Sequence, residues 1–407
     1  MKGDELIEEL RDLQTIRKQC ERMYEMAKQD KLHFFGINLD KIESCAKEVV
    51  TCIKKHYPNL NVPMHSRFRH FDPKAIENLR KKWTTHEVDR EEQTRRLIDL
   101  AFISVLLDAG AGDEWKYVDR HGRTLVRSEG IGAASLQMFL DGMFSSDEAI
   151  KTRVNSRGLQ KVSMQELKVG FQASKSNPLV GLDGRAGLLK RLAKALEKFP
   201  EYFGHEVHRP GHLLDFLLVK ADKDKKVSLH VLWKALIIGL EPIWPQRVSR
   251  IRNGDVWSHN HLKIIGQPGS DMIPFHKLVQ WLCYSIVEEF TNFGIKFDHL
   301  DDLTCLPEYR NGGLLIDTGV LVPKDTVDTD MTYHVGSELI VEWRALTVAL
   351  IDEVAEHVRK QLGKTKSELS LSKILEGGTW RAGRELAYTL RPTGAPPIRI
   401  RSDGTVF

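Results

Sequence analysis

From Ser337 to Leu362 the sequence keeps a helical, strongly apolar pattern without a proline or glycine, and Gly363 stands where a left-handed residue closes a helix. A helix this long, with apolar residues on most sides, has to be buried by its neighbours. The rest of the chain offers mostly helices for that purpose. Residues 4–30 read as one amphipathic helix carrying Leu6, Leu10, Leu13 and Ile16 among many charges. Asp40 reads as the N-cap of a second helix, with Ile42, Ala46, Val49, Val50 and Ile53 on its apolar side. Arg95–Leu107 reads as a buried helix, followed by a glycine-rich turn from Asp108 to Asp113. Ser163 and Glu166 have capping-box spacing. Gly187–Lys198 is amphipathic, and Leu229–Leu240, capped by Ser228, is apolar almost all round. Pro274 suits the first turn of a helix running to Phe293.

Strand-like runs are few. Residues 115–126 read as a short hairpin turning at His121 and Gly122, and Leu314–Val322 and Ile398–Phe407 read as extended, the last with a turn at Ser402, Asp403 and Gly404. The expected fold class is therefore mainly α, with a few short strands or hairpins. The expected division is an N-terminal helical lobe over residues 1–90 and a helical body over residues 91–407, with one continuous domain as the alternative.

Lysine plus arginine number 60 and aspartate plus glutamate 56, leaving a net charge of +4. That balance counts against a protein built to coat nucleic acid. A nucleic-acid glycosylase or binder would rest on the Arg247, Arg250 and Arg252 strip and on Gly130-Ile-Gly132, a stretch more simply read as a tight helix entry. The five cysteines, Cys20, Cys45, Cys52, Cys283 and Cys305, form no CxxC pair and are odd in number, which suits a reducing compartment. No basic segment followed by an apolar run opens the chain, and no apolar stretch is long enough to span a bilayer. The expected location is cytoplasmic, with the nucleus as the alternative, and no membrane partner is expected.

Phosphate-loop, dinucleotide and nucleophile-elbow motifs are absent. His205, His208 and His212 miss HExxH spacing by one residue, and Pro210 and Gly211 break the helix that would align them. His259 and His261 would face one way on a strand. Hydrogen-bonded or surface histidines are the expected reading of both groups, so no metal and no cofactor are expected.

The C-terminal half carries the densest polar constellation. Asp255, Trp257 and His259 follow one another at alternate positions, and a Gly/Pro loop from Gly266 delivers His276 and Lys277 to a helix start. Glu308, Tyr309 and Arg310 sit between Pro307 and the pair Gly312-Gly313, which reads as a loop turning sharply. Glu342 and Arg344 lie on the long apolar helix, where Glu342 falls on the core side and needs a partner. Taken singly, these are a turn cap, a surface pair and a solvated pair. Taken together, an acidic loop residue, a basic helix start and an aromatic platform are what a polar small-molecule site requires.

Several phrases resemble the fungal and bacterial uracil catabolism protein 4 family. They are His65-Ser-Arg67-Phe-Arg69-His70-Phe71, Val105 through Trp115, Arg127-Ser-Glu129-Gly130, Gly254-Asp255-Val-Trp257, Pro274 through Trp281 and Leu306 through Leu314. The resemblance covers nearly the whole chain. It implies a place in a pathway that opens the uracil ring after ribosylation and passes through ribosylurea toward urea. A more distant likeness is to the queuosine 5′-phosphate N-glycosylases, the queuosine salvage proteins, at Leu107-Asp108-Ala109, His276-Lys277-Leu278-Val279-Gln280, Glu308-Tyr309-Arg310 and Glu342-Trp343-Arg344-Ala345. That likeness implies a compact helical fold similar to DNA glycosylases and hydrolysis of a ribosyl C–N bond. Three departures stand out. Glu308 replaces an aspartate, Leu278 replaces an arginine, and Gly110-Ala111-Gly112 replaces an aromatic run, which fits a smaller leaving group than a queuine base.

What the resemblance implies is an N-glycosidase acting on ribosylurea or its 5′-phosphate, a small ribosyl or nucleotide-derived substrate. Glu308 would stabilise the oxocarbenium-like sugar and activate water, and Lys277 or Asp255 would protonate the departing urea, with His276 a lesser candidate. Arg310 and Arg344, with the helix start near Pro274, would hold a 5′-phosphate. Tyr309 would line the site, Trp257 would wall it, and Asp108 would bind ribose hydroxyls or cap its own turn. The alternative is a non-catalytic partner or regulator of the uracil pathway. The oligomeric state is not set by any of these features.

Overall fold

The structure is a computed structural model, and residues 3–108, 110–112, 114–244 and 254–401 are described. It is mainly α, as expected. Among the described residues the named strands are three residues long and pair only in twos. None of the described helices is long and apolar enough to cross a membrane. The arginine strip at Arg247, Arg250 and Arg252 and the turn at Ser402, Asp403 and Gly404 lie outside the described residues.

The chain forms two compact units, each discontinuous in sequence. One comprises Met1–His65, Asp255–Gln280 and Asp301–Arg401, and the other Ser66–Gly254 and Trp281–Leu300.

The first unit is organised by the Glu338–Leu362 helix, whose residues from Leu339 to Ile351 are all buried. Gly363 closes it at φ 62°, a conformation glycine adopts without the Cβ penalty. The Leu13–Lys28, Ile42–His56 and Tyr309–Asp317 helices pack along it. The amphipathic run at residues 4–30 is two helices, not one. The break falls at Asp12, whose carboxylate accepts the Gln14 backbone N–H and caps Leu13–Lys28. Asp40 lies in a 3-10 turn, Leu39–Lys41, and the Ile42–His56 helix starts without a side-chain cap.

Two further expectations change. Pro274 ends a strand, Met272–Pro274, that pairs antiparallel with Val256–Ser258, and the next helix begins only at Lys277. The intervening His276 has φ 45°, a left-handed conformation incompatible with continuing the helix backwards. The segment after Pro307 is not a sharp loop. Glu308 caps a regular helix, Tyr309–Asp317, and the two glycines lie inside it. Gly312 is there for close approach: a Cβ would sit 2.7 Å from Trp343 Nε1 and 2.9 Å from Thr347 Oγ1. Trp343 Nε1 donates to the Gly312 carbonyl at 3.1 Å, so the indole cannot simply swing away. Alanine at 312 gains helix propensity of about 1 kcal/mol but forces this packing apart, at about 1–3 kcal/mol. Chemical denaturation should show Gly312→Ala less stable than the parent, and a gain in stability would contradict the packing argument.

The second unit carries the buried Arg90–Leu106 helix. Asp99 within it accepts from the Arg209 guanidinium at 2.6 Å and from the backbone N–H groups of Val154 and Gly211, while Glu92 pairs with the same arginine at 2.9 Å. Burial raises Glu92, and Arg209, Arg96 and Arg153 override it and hold its carboxyl down at about 2. This network fixes the histidine-rich segment. His208 and His212 bond through Nδ1 to the carbonyls of Gly204 and Phe203. The expected hairpin forms, Lys116–Val118 against Thr124–Val126, as do the Ser163–Glu166 capping box and the Ser228 cap on Leu229–Gly239. Gly130 and Gly132 sit inside the Arg127–Leu140 helix, where a Cβ would strike Trp115 and the His70 carbonyl.

Candidate functional site

The polar constellation read from the C-terminal half lies in the first unit. Pairing of Val256–Ser258 with Met272–Pro274 brings Asp255 beside Phe275, whose N–H donates to the Asp255 carbonyl at 2.9 Å. The Asp255 side chain, 3% exposed, then meets Arg344, 1% exposed, from the long helix. Arg344 grips it through both terminal nitrogens, each at 2.7 Å, while Trp257 Nε1 donates at 2.7 Å and the Lys277 backbone N–H at 3.0 Å. Arg344 Nε reaches the Pro307 carbonyl at 3.1 Å, and its guanidinium lies 4.1 Å from the centre of the Phe275 ring. Burial alone would raise the Asp255 carboxyl. The Arg344 charge and the surrounding donors override that and hold it well below the usual carboxylate range.

Arg344 thus ties two elements to one point. Through Pro307 it fixes the residue before Glu308, and through Asp255 it fixes the backbone of Lys277. Glu308 accepts the Arg310 N–H on Oε2 and the Asn311 N–H on Oε1, both at 2.7 Å, as the N-cap of its helix. Burial pushes its carboxyl up. The two backbone donors and the charges of Lys277 and Arg310 pull back without cancelling the shift. Glu308 and Lys277, 31 positions apart in sequence, are therefore electrostatic neighbours, and at 8% exposure Glu308 is less deeply enclosed than Asp255 or Arg344.

The other expected residues fall as follows. His276 is buried and donates from Nε2 to the Leu10 carbonyl at 2.8 Å, and burial pushes its imidazole pKa down. Arg310 is buried, donates to the Gly394 carbonyl at 3.0 Å and lies over the half-buried Tyr309 ring. Trp257 does not present a bare wall: its N–H clamps Asp255, and Gly336 abuts its six-membered ring. Asp108 belongs to the second unit, where its Oδ2 accepts from Arg67 Nη1 at 2.7 Å and Ser128 Oγ at 2.6 Å.

Two roles read from the sequence change on this geometry. Asp255 already accepts four hydrogen bonds in an ionised state, which leaves it ill suited to give up a proton. Arg344 commits its guanidinium to Asp255 and Pro307 and so serves as a fastener, not as a phosphate contact. Sequence reasoning missed Phe275, the platform under Arg344, and Arg67 with Ser128, the clamp on Asp108. Arg67 stood in a motif already singled out, but only the fold pairs it with Asp108.

A mainly helical protein with a buried carboxylate beside a lysine and a bidentate arginine–aspartate fastener is the class that the fold and the centre define. The chain belongs to the family described as "Protein of unknown function (DUF1688)", which it matches over residues 9–407. Among curated proteins it is 38% identical to "Protein urg3" of Schizosaccharomyces pombe over 414 residues, covering 99% of each chain. It is 36% identical to "Uracil catabolism protein 4" of Lachancea kluyveri over 443 residues, covering 100% of each.

Proposed function

We propose that this protein acts in uracil catabolism as an N-glycosidase, hydrolysing the ribosyl C–N bond of ribosylurea or its 5′-phosphate to urea and ribose or ribose 5-phosphate. The pathway follows from the names of the full-length relatives. The observation that carries the reaction is the placement of Glu308, a buried carboxylate at the start of its helix, within electrostatic reach of Lys277, whose backbone Asp255 holds.

As the C–N bond breaks, positive charge gathers on the sugar and the leaving urea needs a proton. The Glu308 carboxylate faces the developing oxocarbenium ion and takes a proton from the attacking water. Lys277 gives a proton to the departing nitrogen, and solvent restores both groups. Asp255 and Arg344 position Lys277 and the Glu308 helix. Arg310 is the remaining arginine of the centre for a 5′-phosphate. In this reading no metal takes part.

The pH dependence follows in sign. Glu308 acts ionised, and burial raises its pKa, so the acid limb of kcat/KM should lie above the usual glutamate value of about 4.3. An acid limb at or below that value would remove Glu308 from the reaction. Incubation with ribosylurea and, separately, with its 5′-phosphate should release free urea from at least one. A folded protein that releases urea from neither would overturn the proposal and favour a non-catalytic role in the pathway.

A further inference from the structure

We propose that His259, His261 and Glu342 form a binding site for a divalent transition metal of the zinc class. Glu342 is fully buried on the long helix and shares one oxygen, Oε1, between the backbone N–H groups of Phe34 and Phe35, at 3.1 and 2.8 Å. Those two bonds aim Oε2 at His259 Nε2, also fully buried, 3.4 Å away. Both facing atoms lack a hydrogen-bond partner, although each is shut off from solvent. Two buried polar atoms left in that state cost free energy unless something satisfies both.

The spacing says what would. At 3.4 Å the two atoms are long for a charge-assisted hydrogen bond, but they match one edge of a zinc tetrahedron, about 3.3 Å for ligand bonds near 2.0 Å. A third ligand is at hand. His261 places a ring nitrogen so that the donor atoms of all three residues lie within 4.8 Å of one another, and its ring centre is 5.2 Å from that of His259. His261 is exposed, so a fourth position would open to water. Two imidazoles, one carboxylate and an open position suit zinc or a neighbouring first-row ion, not magnesium or calcium.

Local structure supports the arrangement. His259 follows the Val256–Ser258 strand, and a 3-10 turn, Asn260–Leu262, brings His261 back alongside it. The turn is tied down by Glu338, which accepts the Asn260 N–H at 2.8 Å one helical turn before Glu342. The Phe34 and Phe35 N–H groups that hold Glu342 Oε1 play the part of the outer partners that orient a ligating carboxylate. His259 Nδ1 accepts the His261 backbone N–H at 3.3 Å, which places the ring proton on Nε2 when no metal is bound. Metal binding at Nε2 moves the ring proton to Nδ1, and Nδ1 then gives up this long bond. By contrast, in the Cys52, His56 and Glu385 group the carboxylate oxygens already pair with Lys55 and His56 at 2.9 and 2.6 Å.

The site uses none of the residues given a role in the proposed reaction, so the two ideas fail separately. The test uses the full chain, stripped with chelator and titrated with Zn²⁺ by calorimetry, with Co²⁺ as a spectroscopic probe. One ion should bind per chain, with the intense visible bands of tetrahedral cobalt. Removing the exposed ligand in His261→Ala, which leaves the core intact, should weaken Zn²⁺ binding at least about tenfold. His121→Ala, an exposed histidine outside the group, should bind as the parent does. Absence of saturable Zn²⁺ binding, or equal binding by His261→Ala and the parent, would overturn the proposal.

Discussion

Replacing Glu308 by glutamine should lower turnover on ribosylurea, or on its 5′-phosphate, by about 100-fold or more while the protein stays folded. The substitution keeps the length of the side chain and, on the proposed mechanism, removes both the charge that would face the sugar cation and the base that would take a proton from water. The fold should suffer little, because one amide oxygen can still accept an N–H from Arg310 or Asn311 at the helix start. Loss of the other bond is the loss of half a cap, about 1 kcal/mol or less. The sign of the pKa shift points the same way. A carboxyl raised by burial contributes stability below its usual pKa and loses it as pH rises through the folded value, so at neutral pH the charge itself is a burden that glutamine relieves. Turnover near the parental rate, in a variant with parental melting behaviour, would show that Glu308 is a helix cap and nothing more.

Replacing Arg344 by methionine should have the largest effect on stability, about 3–5 kcal/mol. The cost arises less from the lost attraction than from what remains. Asp255 would be buried with only Trp257 Nε1 and the Lys277 N–H as donors, and the Pro307 carbonyl would lose its partner. The pH dependence separates this from a packing defect. In the parent, the lowered pKa of Asp255 means that the pair stabilises the fold above the usual aspartate value and fails only as pH falls below it. In Arg344→Met, acid instead protonates an unpaired buried carboxylate, so the stability deficit should shrink as pH falls from 7 toward about 4. The double variant Asp255→Asn, Arg344→Met should lose less than the sum of the single losses. A deficit below about 1 kcal/mol in the single variant would mean that the pair is solvated, contrary to its burial.

The helical character of the chain was legible because it rests on local signals. The Ser163 capping box, the Ser228 cap and the left-handed Gly363 each act within a few residues of the helix end they define. The misread boundaries share a cause. At Asp12 a helix-compatible apolar spacing runs straight through a residue whose side chain starts a new helix. At Pro274 the proline is as acceptable to a strand end as to a helix start, and the left-handed His276 is what decides. Gly312 and Gly313 spoke for a turn by composition, whereas the bulk of Trp343, 31 positions on, is what requires a small residue at 312.

The candidate site was legible in its membership more than in its roles. Asp255, Lys277, Glu308 and Arg344 could be picked out as charged residues grouped in the C-terminal half, and the fold links them through hydrogen bonds and charge. Which of them binds and which merely fastens depends on partners far away in sequence. Arg344 sees Asp255 across 89 positions, and Glu342 sees Phe35 across 307. No local pattern encodes such pairings, and for the same reason His259 and His261 looked ordinary until Glu342 was placed against them.

Cleavage of the ribosyl C–N bond by Glu308 is tested most directly by a single product assay, run on the parent and on Glu308→Gln at matched thermal stability, that quantifies intact urea, free ribose or ribose 5-phosphate, and ammonia. The parent should give equimolar urea and sugar and no ammonia, and the variant almost none of either product. Ammonia in place of urea would mean attack at the ureido carbon, and equal yields from parent and variant would mean that Glu308 takes no part.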